Sequence, residues 1–167
     1  MSALATYTAV HVIISLIGIV SGVVVAAGLL TSKRLDQWTQ LFLSTTALTS
    51  MTGFGFPVDH VLPSHVVGAL SLLVLAIAVF ARYGRRMAGA WRWVYAVTAM
   101  IAFYFNVFVL VVQLFQKVPA LKALAPTQSE PPFAIVQLVV LAVFVTLTFK
   151  ASIRFRPDLT STAPARS

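Results

Sequence analysis

The chain of 167 residues has no cysteine, only four acidic residues and 10% charged residues in all. Without cysteine there is no disulfide, no thiolate metal ligand and no dithiol redox couple. Nucleotide-binding glycine loops, an HExxH pair and a Ser/His/Asp set on a readable scaffold are missing too, which removes the commonest sequence signatures of catalysis. The interiors of the apolar segments carry no carboxylate of the kind that proton-coupled transporters use. No long polar stretch remains to build a soluble domain, and no internal repeat or low-complexity tract is visible.

What is present is apolar. Hydrophobic residues make up 59% of the chain, against about 45–50% in an ordinary soluble domain. Four segments, residues 5–31, 64–83, 89–116 and 133–153, approach or exceed the roughly 20 apolar residues that cross a hydrocarbon core. A fifth, residues 35–56, is long enough but holds Ser44, Thr45, Thr46, Thr49, Ser50 and Thr52. Hydroxyls can bond back to their own helix or across to a neighbour, so this helix is expected to be shielded from lipid.

The formal charge of +8 sits beside the apolar segments: Lys33 and Arg34, then Arg82, Arg85, Arg86 and Arg92, then Lys150, Arg154 and Arg156. That placement marks topology and membrane lipid as the neighbour, and it excludes nucleic acid as the expected partner. Five spans put all three clusters on one face and leave Lys117 and Lys122 on the other. Four spans, with residues 35–56 lying in the interface, would scatter them. The positive-inside rule therefore predicts a multi-pass, all-α five-helix bundle with the N-terminus outside and the C-terminus cytoplasmic. Residues 1–156 form its single transmembrane domain and the polar tail 157–167 is read as disordered. Residues 1–7 lack the basic start of a cleavable signal, so the first helix is expected to stay. Trp91, Trp93 and Tyr95 mark an aromatic belt at the cytoplasmic interface.

KVPALKALAPTQSEPPF (residues 117–133), with GAWRWVYAV (89–97) and FNVFVLVVQLF (105–115) before it, resembles an uncharacterised family of small bacterial multi-spanning inner-membrane proteins. The resemblance covers most of the chain. It implies a bacterial inner (cytoplasmic) membrane and carries no assigned activity, cofactor or site.

The scarce polar residues supply the candidates for function. Thr8, His11, Ser15, Gly18, Gly22 and Ala26 lie on one face of the first helix. The Gly18–Gly22 pair allows a close helix contact, either within the bundle or with another subunit or a second copy. In TSMTGFGFPVDHVLPSHVVG, residues 49–68, an Asp and two His stand where the second helix ends and the third begins. With five spans His11, His60 and His65 all reach the outer half. His11 with His65 is then a candidate axial pair for a b-type haem, and His11, Asp59, His60 and His65 supply donor atoms for zinc or copper. The competing reading makes them interfacial histidines. On the fourth helix Tyr95, Ala99, Ala102, Asn106 and Gln113 form a polar stripe. Asn106 is expected to bond a neighbouring helix, or to line a cavity for a quinone head group together with Gln113 and Gln137. Glu130 is expected to pair with Lys117 or Lys122 or to close that cavity. Taken together these residues favour a non-enzymatic binding or accessory subunit with a polar pocket at the outer face. The alternatives are a haem- or quinone-linked redox module and a small transporter.

Overall fold

The structure is a computed structural model and describes residues 2–56 and 63–156. It is all helical: α1 (Ala3–Leu30), α2 (Asp36–Gly53), α3 (Pro63–Val79), α4 (Trp91–Lys117), the short α5 (Pro119–Leu124) and α6 (Pro131–Arg154). Among the described residues four helices, α1, α4, α6 and α3 with its extension, are long and apolar enough to cross a membrane. The chain is therefore an integral membrane protein. α2 is too polar to count among them by composition, yet its 18 residues correspond to about 27 Å of helix.

Local chemistry sets most ends. The Ser2 hydroxyl accepts from the Ala5 amide and caps α1. Prolines open α5 and α6, where a missing N–H costs nothing. The α1–α2 turn is tight and uses left-handed backbone at Ser32 and Leu35. Gly28 makes this turn possible: a Cβ there would stand 2.6 Å from Leu35 Cδ1 and 3.1 Å from the Lys33 carbonyl. α3 does not stop where its α-helical bonding stops. It widens into a π-helical turn over Phe80–Gly84, with the Arg85 amide donating to the Phe80 carbonyl at 2.9 Å.

α4 is the central helix. α6, α1, α2 and α3 pack around it in that order, each against the next, and α3 does not close on α6. Small residues admit α4 to the middle: Ala96, Ala99 and Ala102 are buried, and a Cβ on Gly22 would lie 2.5 Å from the Phe103 ring. The main core joins Leu29, Phe42, Leu75, Ala78, Tyr95, Met100, Phe103 and Phe155. It lies towards the end that carries the Lys33–Arg34, Arg82–Arg92 and Arg154–Arg156 clusters. Towards the other end the bundle is looser, and α1 buries no residue before Gly18. A second, smaller core of Val111, Phe115 and Ala125 sits under α5.

Candidate functional site

α2 runs antiparallel along α1 in a constant register. Leu35 meets Gly28, Thr45 and Thr46 meet Gly18, and Thr52 meets His11. Most of the α2 hydroxyls are bonded, within the helix or across to a neighbour. Thr45 bonds back to Leu41, Thr46 accepts from Asn106 Nδ2 at 2.9 Å, and Ser50 on another face donates to Ser71 of α3 at 3.1 Å. Thr39, Thr45, Thr46 and Ser50 are buried, as a helix shielded from lipid requires. The Thr49 hydroxyl, on the α1 side between these contacts, is buried with no partner.

His11 is half-buried at the open end of this seam. Its Nδ1 lies 2.8 Å from the Thr52 hydroxyl, and its ring meets the Phe56 ring edge-on at 5.1 Å. Tyr7 contacts the same Phe56 ring and donates to the Thr52 carbonyl at 2.6 Å. His65 approaches α2 from the α3 side and stacks on Phe54 with ring centroids 5.4 Å apart. The two histidines thus pack on different aromatic residues at the end of α2. Asp59 and His60 lie outside the described residues. Among the described residues no three His, Cys, Asp or Glu gather as metal ligands.

The stripe on α4 divides. Asn106 is held by Thr46 and borders Gly18, whereas Gln113 is exposed two turns further on. Gln137 donates to the Phe108 carbonyl at 3.2 Å and leaves its own buried carbonyl oxygen without a partner. Two surface hollows lie elsewhere on the bundle. One, of about 370 Å³, is lined by Phe115, Gln116, Lys122, Pro126, Thr127 and Gln128 under α5. The other, of about 390 Å³, runs along the α4–α6 seam past Val97, Ile101, Tyr104, Phe144, Val145 and Thr148. Neither is lined by His11, His65, Asn106 or Gln113.

Glu130 bonds its own loop and not a lysine. Its carboxylate accepts from the Thr127 amide and hydroxyl at 3.1 and 2.9 Å and from the Ser129 amide at 3.1 Å. Slight desolvation pushes the carboxyl up, but these bonds outweigh it and hold the group below its ordinary value.

Arg82, one of the basic residues expected only to mark topology, has a side chain that is 1% exposed. The π-helical turn swings it inward, where it bonds Asp36 and the Arg34 carbonyl and lies 5.0 Å over the Tyr95 ring. Its Nε is buried without a partner. One signal was available: Arg82 is the only charge inside the 64–83 segment. At the same end Arg92 bonds the Phe155 carbonyl, and the Arg156 amide donates to Ser32.

Fold and polar contacts together define an all-helical integral membrane protein whose buried polar groups mostly join one helix to the next. No protein-family model, curated protein or solved structure matches the chain.

Proposed function

We propose that the chain is a non-enzymatic accessory or binding subunit of a bacterial inner-membrane assembly, and that a helix of a partner subunit seats along the α4–α6 seam. One observation carries this. Tyr104, the middle residue of α4, lines that seam with a phenol hydroxyl that has no hydrogen-bond partner among the described residues. Thr148 of α6 lines it too, and its hydroxyl is likewise without a partner there. Acyl chains cover an apolar face well, but they offer nothing to a hydroxyl at mid-membrane depth, and a polar group on a neighbouring helix does. The Gly18–Gly22 face is filled from within the chain by Thr45, Thr46, Asn106 and Phe103, which leaves the uncovered side of α4 and α6 for the partner. α6 exposes Leu138, Leu141, Val145 and Phe149 beside the seam.

In this reading α2 crosses the membrane as the second of five spans, with the N-terminus outside. Its support is the antiparallel register from Leu35–Gly28 to Thr52–His11, which holds α2 parallel to the axis of a spanning helix. Labelling of a Ser2→Cys variant with an impermeant thiol reagent tests the topology: modification from the periplasmic side is expected, and modification only after the membrane is breached sinks the five-span arrangement. For the partner, a photo-crosslinker at Val145 should give one discrete heteromeric adduct in native membranes. The same probe at Val20, 60% exposed on α1, should give none. The adduct should weaken in Tyr104→Phe/Thr148→Val; lipid adducts alone, or a dimer of this chain, refute the proposal. A polar ligand site at the outer end, around His11, belongs to the same proposal and is independent of the seam.

A further inference from the structure

The contacts of Thr52 favour one tautomer of His11. The Thr52 hydroxyl lies 2.7 Å from the Leu48 carbonyl and 3.2 Å from the Thr49 carbonyl. Carbonyl oxygens only accept, so the single hydroxyl proton is committed to them. The same hydroxyl is 2.8 Å from His11 Nδ1 and has no second proton to give. With the hydroxyl proton on those carbonyls, Nδ1 carries the hydrogen and donates, and the neutral ring bears its lone pair on Nε2. This nitrogen points away from Thr52, and the His11 ring makes no other hydrogen bond among the described residues. Tyr7 has spent its proton as well, on the Thr52 carbonyl. Among the described residues the site accordingly offers acceptors and no free donor.

Its walls are aromatic. Phe56 presents its ring to both Tyr7 and His11. α1 buries nothing before Gly18, and Val10 and Val12 beside His11 are exposed, so the seam is open at this end. A ligand matched to this surface brings hydroxyl donors on a flat, apolar ring and reaches it from within the membrane.

We infer that His11 and Tyr7, backed by Phe56, bind the head group of a lipid-soluble quinol, with a ring hydroxyl donating to His11 Nε2. The oxidised quinone has only carbonyl acceptors, which would face the lone pair of Nε2, so the site prefers the reduced form. The inference concerns binding alone and invokes no electron transfer. It deepens the outer-face part of the proposed function and is independent of the α4–α6 seam.

The test uses the full chain in nanodiscs with ¹⁵N-histidine, titrated anaerobically with decylubiquinol and separately with decylubiquinone. The quinol is expected to bind about tenfold more tightly, the worth of one well-made hydrogen bond, and to move the His11 Nε2 resonance. His11→Phe keeps a flat ring and should abolish the preference. Thr52→Val frees the tautomer and should shrink it, which keeps the inference testable if His11→Phe fails to fold. Equal affinities, a protonated Nε2 in the ligand-free spectrum, or a Soret band showing iron on His11 would each overturn it. Loss of quinol binding with the Val145 adduct intact would overturn this inference alone and leave the accessory role standing.

Discussion

Arg82, on the π-helical turn that ends α3, bonds the carboxylate of Asp36 in the first turn of α2, and Arg34 donates to the same oxygen at 2.9 Å. One carboxylate serves a buried arginine and an exposed one.

That sharing predicts unequal costs. Asp36→Asn leaves the buried guanidinium without its counter-charge and is expected to cost about 1–2 kcal/mol, kept low because Asp36 is mostly exposed. Arg34→Gln should cost under about 0.5 kcal/mol, as an exposed pair does. Adding Arg82→Met to Asp36→Asn should recover part of the loss, because the uncompensated buried charge is gone. Thermal unfolding in detergent measures all of them; additive losses in the double variant would show that the two residues are not coupled.

Gly22 offers a steric test. A Cβ there meets the buried Phe103 ring at 2.5 Å, so Gly22→Ala is predicted to destabilise the bundle by about 1–3 kcal/mol. Phe103→Leu in the same chain should relieve part of that strain. If Gly22→Ala is neutral in an unfolding assay, α1 and α4 do not approach as closely as described.

Asn106 and Thr46 should be coupled weakly. Hydrogen bonds between membrane helices average about 0.6 kcal/mol and reach about 1.7, so a double-mutant cycle with Asn106→Leu and Thr46→Val is expected to fall in that range. A coupling indistinguishable from zero in reversible unfolding would remove the bond.

The Glu130 loop should respond to acid. Its carboxyl is held below the ordinary value of 4.5, so its contribution is present above that value and is lost as pH falls through the lowered folded one. Amide exchange at Thr127 and Ser129 should accelerate only in that acidic window, and Glu130→Gln should remove the dependence. Acceleration near neutral pH would contradict the assignment.

The legible part of this fold was the helices themselves. Apolar length located α1, α3, α4 and α6 to within a few residues. The crowd of hydroxyls on α2 announced burial, and the stepping of Gly18, Gly22 and Ala26 announced a packed face. What stayed hidden has a common cause. In a membrane protein both lipid-facing and core-facing positions are apolar, so periodicity could not show that α4 is central, that α6 is mostly exposed, or that Gln113 points away from the bundle while Asn106 points in. The inward turn of Arg82 depends on a single change from α- to π-helical bonding, which composition does not mark. The tautomer of His11 depends on Thr52, 41 residues away, and becomes readable only once both are in place.

The tight turn closed by Gly28 and Leu35 also bears on how the protein is made. Every contact between α1 and α2, from that turn to the pairing of Tyr7 and His11 with Thr52, falls within the first third of the chain. The pair can zip up as a helical hairpin while the remainder is still being synthesised, without waiting for distant segments. α4 arrives later, and its Phe103 and Asn106 find Gly22, Gly18 and Thr46 already aligned as a template. An error in that first turn would therefore be inherited by every helix that follows.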